Sequence, residues 1–132
     1  MTLEDLDQTL PNGLHDARIR RIDHDFEQAT VKFYVEILVG LPADPPAERS
    51  RYRRGVIAFN RVLFCWTECP ENERILGHNG SIWFTYGRTE IGVLPAKIAN
   101  AVAADTLCYS LYVLDWLSHI HIAAGDVSFL WQ

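Results

Sequence analysis

A chain of 132 residues, 48% hydrophobic and 22% charged, has the size and balance of one globular domain, residues 1–132, with a core of its own. Its formal charge of −5 argues against generic nucleic-acid binding, which needs a clustered positive surface. The acidic opening "MTLEDLDQTL" has neither the basic flank nor the apolar run of a secretory signal, and no stretch approaches the roughly 18 apolar residues of a membrane span.

The sequence therefore reads as that of a soluble, cytoplasmic protein with no membrane partner. Three cysteines, Cys65, Cys69 and Cys108, fit that compartment as reduced thiols better than as a disulfide framework. Of the 12 basic residues only Lys32 and Lys97 are lysines. Most of the arginines gather as Arg18, Arg20 and Arg21, and as Arg49, Arg51, Arg53 and Arg54. Arginine favours planar, paired contacts with carboxylates or phosphates, so both groups look placed for partners inside or outside the chain.

Thr2 is positioned to cap a short acidic helix over Leu3 to Gln8, ended by Pro11 and the turn pair Asn12-Gly13. "ARIRRIDHDF" reads as a strand that needs a bulge near Arg20-Arg21 to keep Ala17, Ile19, Ile22 and Phe26 all inward. In "ATVKFYVEILV" Val31, Phe33, Val35, Ile37 and Val39 alternate with Lys32, Tyr34 and Glu36, the period of a half-buried strand. The short gap between these two predicts a hairpin. "GLPADPPAERS" follows as a proline-rich loop and a place for disorder, ending in "RSRYRR".

"GVIAFNRVLFCW" is apolar on both parities, as in a strand buried on both faces or one that bends between two sheets. "GHNG" marks a turn before the strand "SIWFTY". "LPAKIANAVAAD" predicts a helix of about three turns opened by Pro95, with Ile98, Ala101 and Val102 on one side. "TLCYSLYVLDW", "HIHIAA" and "VSFLW" supply the last strands, the final two separated by Gly125-Asp126. Six or seven strands with one or two short helices make a mainly β domain, with α+β as the neighbouring class: an antiparallel sandwich or a strongly bent sheet.

Among chemistry-bearing residues, His119 and His121 stand two apart on a strand and share a face. They read as the polar side of an alternating strand. The alternative is a metal site completed by His15, Asp16 or Asp115. Cys65, Cys69, His78 and Cys108 can be written as a zinc set, but their spacing is unusual and Cys65 falls inside an apolar strand. Asp23, Asp25 and Glu27 alternate along one strand and read as a solvated edge or as counter-charges for arginines, pairing with "RSRYRR" being the version to test; the functional alternative is a general acid made by like charges in a row.

Arg51, Tyr52, Arg53 and Arg54 have the composition of a partner contact, and the tryptophans are expected mainly in the core. There is no nucleophile elbow, P-loop or dinucleotide fingerprint, and no cofactor is expected.

Two segments, "LPNGLHDARIRRIDHDF" and "LYVLDWLSHIHIAAGDVSFLW", resemble the two ends of small bacterial β-rich proteins that open with an L-H-D-A-x-I strand and close with D-W-x-S-x-I-x-I-A-A. The matching positions are Leu14, His15, Asp16, Ala17 and Ile19, then Asp115, Trp116, Ser118, Ile120, Ile122, Ala123 and Ala124. Neither histidine of "HIH" falls on the motif. Some of these proteins are grouped with the immunity proteins of toxin systems; the resemblance implies an antiparallel β fold and a bacterial cytoplasm, with His15 and Asp16 either at a contact or capping the turn after Gly13. With no catalytic constellation but with arginine–tyrosine and carboxylate-rich surfaces, the chain reads as a non-enzymatic module of immunity-protein type that binds a protein partner or a second copy of itself. The alternatives are a metal-dependent enzyme using His119 and His121, and a small-molecule pocket between sheets lined by Trp and Tyr.

Overall fold

The computed structural model describes residues 1–69, 81–89, 92 and 94–132. The turn expected at "GHNG" and His78 lie outside these residues. Helix α1 (Leu3–Thr9) starts where Thr2 accepts the Asp5 N–H and Asp5 in turn accepts the Thr2 N–H, a capping box that satisfies two otherwise orphan donors. Leu3, Leu6 and Leu10 recur at helical spacing and are all buried. Gly13 ends the turn that follows with φ +61, and the Leu14 N–H is held by Asp7 Oδ1.

Among the described residues, eight antiparallel strands make one sheet in the order β4-β7-β6-β5-β1-β2-β3-β8. They are β1 (Arg18–Asp25), β2 (Thr30–Leu38), β3 (Tyr52–Asn60), β4 (Phe64–Thr67), β5 (Ile82–Arg88), β6 (Leu107–Val113), β7 (Ser118–Ala124) and β8 (Asp126–Trp131). The register of β1 on β2 shifts between Ile19 and Arg21, where the sequence requires a bulge.

The sheet bends sharply on itself at two neighbouring corners. β3 runs into β4 through Arg61, which takes φ +52, and β7 runs into β8 through Gly125. One ladder ends at Asn60 opposite Asp126 and the next begins at Phe64 opposite Ala123, so two long strands turn the corner side by side. "GVIAFNRVLFCW" is thus the bending strand of its two readings. Across the core, Phe33 and Phe59 of one half meet Tyr109 of the other, with Phe59 and Tyr109 rings 6.3 Å apart. α1 lies against the same core and is tied down where Met1 exchanges two hydrogen bonds with the Val127 backbone.

The bent-sheet expectation holds, with one strand more than the sequence suggested. Three details differ. Phe26 is 82% exposed and stacks on His24, because β1 ends at Asp25 and Phe26 belongs to the hairpin turn. The second helix, α2 (Ala96–Ala99), is one turn long and buries none of its residues, so nothing extends it toward Val102. The proline-rich segment is built of consecutive turns, with Asp44, Glu48 and Arg51 N–H groups bonding back three residues.

Candidate functional site

The outward face of β1, β2, β3 and β8 carries arginines and aromatic rings in register. Arg21 lies opposite Tyr34, Arg54 opposite Glu36, Tyr52 opposite Leu38 and Val56 opposite Leu130. Alternation puts these side chains on the side away from the core. On this face the Arg18 guanidinium lies 4.3 Å from the Tyr52 ring and 5.1 Å from Trp83, and Arg21 lies 3.9 Å from Tyr34; Arg53, 4.5 Å from Trp131, stands with that ring on the core-side parity at the end of the sheet. Rings thus hold Arg18, Arg21 and Arg53, of which only Arg21 also has a carboxylate at ion-pair distance among the described residues.

Carboxylates are few here. Glu36 is shared by Arg20 at 3.4 Å and Arg54 at 4.0 Å, and Asp23 pairs with Arg21 at 3.1 Å. Among the described residues neither Arg51 nor Arg53 has a carboxylate at ion-pair distance, and Arg18 Nε is buried without a hydrogen-bond partner. Of the six arginines 18, 20, 21, 51, 53 and 54, three have a carboxylate at ion-pair distance among the described residues: Arg20 and Arg54 share Glu36, and Arg21 has Asp23.

Two depressions lie among these arginines, the first at the core-side end of the sheet and the second on its outward face. A cleft of about 800 Å³ runs between the end of α1 and the end of the sheet, lined by Leu10, Val39, Arg51, Tyr52, Arg53 and Trp131 among others. A smaller one of about 310 Å³ is lined by Arg20, Arg21, Tyr34, Arg54 and Gln132. The four residues singled out in "RYRR" are thus divided between two adjoining depressions.

The acidic row does not meet that cluster. Asp25 Oδ1 instead accepts the Gln28 N–H in the hairpin turn. His15 and Asp16 pair with each other at 3.0 Å, with His15 84% exposed, and line neither depression. The turn they were expected to cap is capped by Asp7. Trp66 and Trp83, expected in the core, are 36% and 44% exposed, because both stand on the outward parity of their strands.

The outer face of the other half holds the histidines. β7 lies between β4 and β6, with His121 opposite Trp66 and Ser110, and His119 opposite Tyr112. Glu68 continues the β4 ladder by donating its N–H to the His119 carbonyl, so its side chain joins the same face. Glu68 Oε1 lies 2.6 Å from His121 Nε2 and 3.2 Å from His119 Nδ1. His121 Nδ1 lies 2.9 Å from Ser110 Oγ, which in turn bonds Thr89 Oγ1. The sequence reading placed the two histidines correctly on one polar face and missed Glu68. Extending the alternation of β4 past Trp66 puts Glu68 on the right parity, but only the β4–β7 pairing brings it alongside. Asp115 accepts the Trp83 N–H and takes no part.

Of the cysteine set, with His78 outside the described residues, Cys65 and Cys108 are not brought together. Cys65 is opposite Ile122 and Cys108 opposite Ala123, adjacent residues of β7 that point to opposite faces. Burial pushes the Cys65 thiol up to about 11 and raises Cys108 as well, which suits neither to metal binding or nucleophilic attack. No helix among the described residues is long and apolar enough to cross a membrane. No protein-family model matches this chain, and neither a curated protein nor a solved structure matches it.

Proposed function

We propose that the protein is a non-enzymatic binding module whose arginine–aromatic face takes an acidic surface of a protein partner. The observation that carries this reading is Arg51 and Arg53 beside Tyr52 and Trp131 in the large cleft, with no carboxylate neutralising either arginine among the described residues. Arg53, held over the Trp131 ring, loses little freedom on pairing, and Arg, Tyr and Trp are the residue types that anchor protein interfaces.

A protein is favoured over a nucleic acid because apolar side chains stand among the arginines: Leu10, Val39 and Trp131 line the cleft with Arg51 and Arg53, and a 71% exposed Leu130 stands on the outward face of the same sheet end. The resemblance of both chain ends to proteins grouped with toxin-immunity proteins agrees with such a role in a bacterial cytoplasm.

Poly-L-glutamate is a direct probe of the face, read by the fluorescence of the neighbouring tryptophans. Binding is expected at low salt, weakening as salt rises, and falling about tenfold or more in an Arg51→Glu/Arg53→Glu variant. Equal binding by the variant, or tighter binding of a single-stranded oligonucleotide than of poly-L-glutamate, overturns the reading.

A further inference from the structure

We infer that Glu68, His119 and His121 form a site for one divalent transition-metal ion of the zinc class, on the sheet half away from the arginine face. The two imidazoles and the carboxylate offer three ligand atoms within 4.8 Å of one another. Two ring nitrogens converge on a single carboxylate oxygen, at 2.6 and 3.2 Å. Ligand atoms around a bound zinc at about 2.0–2.2 Å stand at comparable mutual separations, so small side-chain rotations admit the ion.

Ligand chemistry selects the class of ion. Calcium and magnesium take oxygen ligands almost exclusively, whereas two imidazoles with one carboxylate suit zinc and its first-row neighbours. Three protein ligands leave a coordination position open, and the His119 side chain is 41% exposed. Water or a small anion completes the set.

The surroundings supply what a ligating histidine requires. When His121 Nδ1–H donates to Ser110 Oγ and that hydroxyl donates to Thr89 Oγ1, the Nε2 lone pair is left for the metal. The mounting is also rigid. β7 is paired on both sides, and the Glu68 backbone is bonded to His119 itself. The two histidines are thus set by strand alternation and the carboxylate by strand pairing, which is why the triad is invisible to spacing rules.

The test is titration of the chelator-treated full chain with Zn²⁺ by calorimetry, with Co²⁺ as a spectroscopic substitute. One equivalent is expected, with cobalt bands of low coordination number and a change in the fluorescence of Trp66, whose ring lies 4.3 Å from that of His121. His121→Ala and Glu68→Ala, each checked for folding by circular dichroism, should weaken binding about 100-fold or more. Ser110→Ala should weaken it about tenfold, the usual effect of losing an outer-shell partner.

His24→Ala, remote on the β1–β2 hairpin, should bind like the parent chain. Absence of saturable binding overturns the site. So does stoichiometric binding that survives both His121→Ala and Glu68→Ala, since it places the metal elsewhere. Because poly-L-glutamate binding does not involve these residues, failure here leaves the arginine-face reading standing, and the converse holds.

Discussion

The phenol oxygen of Tyr109, a fully buried side chain, donates to Glu4 Oε2 at 2.7 Å and accepts the Leu3 N–H at 3.0 Å. One hydroxyl at the centre of the bent sheet thus fastens the first turn of α1. It satisfies a helix N–H that has no partner within the helix. Arg88 reaches the same Glu4 carboxylate with two nitrogens, at 2.6 and 3.2 Å.

Tyr109→Phe therefore leaves a buried N–H unsatisfied and takes a hydrogen bond from Glu4, with no change in packing. The expected loss is about 1–3 kcal/mol in urea-induced unfolding. Amide exchange in α1 should accelerate more than in β2. A variant as stable as the parent shows that α1 is held by its leucines alone.

The same contacts set the acid limit of the fold. Burial works against the Glu4 carboxylate, but hydrogen bonds from Arg88 and Tyr109 outweigh it and hold its pKa below the ordinary 4.5. Asp5, bonded to the Thr2 backbone and hydroxyl, is likewise below 3.8. Both pKa values are lower in the folded chain, so both groups contribute their full stabilisation above the unfolded values. They lose it as pH falls through the folded ones. Stability should be flat with respect to these groups near neutrality and decline below about pH 4.5. Glu4→Gln should flatten that decline while lowering stability at pH 7; an unchanged acid slope removes Glu4 from the account.

How far the sequence shows this architecture depends on the range of the interaction. Thr2 as helix cap, the bulge at Arg20-Arg21 and the alternation of β2 are written in neighbouring residues, and each appears where its local pattern puts it. Phe26 misleads because alternation cannot show where a strand stops and its turn begins. Trp83 misleads because hydrophobicity alone does not distinguish a core ring from one that covers Arg18. Glu68 is silent for a different reason: its meaning depends on β4 pairing with β7, a contact more than fifty residues away along the chain that no local pattern encodes.

Gly40 is required by backbone packing. A Cβ there would collide with the carbonyl oxygens of Glu48 and Arg49, and backbone cannot swing aside as a side chain can. Its own groups are committed, the N–H to the Arg51 carbonyl and the carbonyl to Asn12 Nδ2 at 2.8 Å. Gly40→Ala is expected to cost about 2 kcal/mol and to displace Arg51 from the large cleft, weakening poly-L-glutamate binding at the same time. Gly125→Ala is the contrast: the added Cβ meets only the exposed Arg61 side chain, so a change of about 0.5 kcal/mol or less is expected. Equal losses in the two variants contradict the distinction.

The corner between the sheet halves is the place where a substitution should stabilise. Arg61 takes φ +52 to turn β3 into β4, a conformation that costs an L-residue about 1 kcal/mol. Its side chain returns little, being 72% exposed and 3.7 Å from Asp126. Asn60, one residue earlier, works in the opposite sense: its amide bonds Asp126 Oδ2 at 3.0 Å and Ser128 Oγ at 3.3 Å across the ladder. Arg61→Gly removes the steric penalty at the expense of a more flexible unfolded chain, for a net gain of about 0.5 kcal/mol. Asn60→Ala should lose about 1 kcal/mol. Thermal unfolding of the two variants beside the parent chain decides the matter: a rise for the first and a fall for the second identify the corner as strained backbone held by side-chain bonds. A fall for both means that Arg61 contributes through its side chain, and that the positive φ is not the limiting cost at this turn.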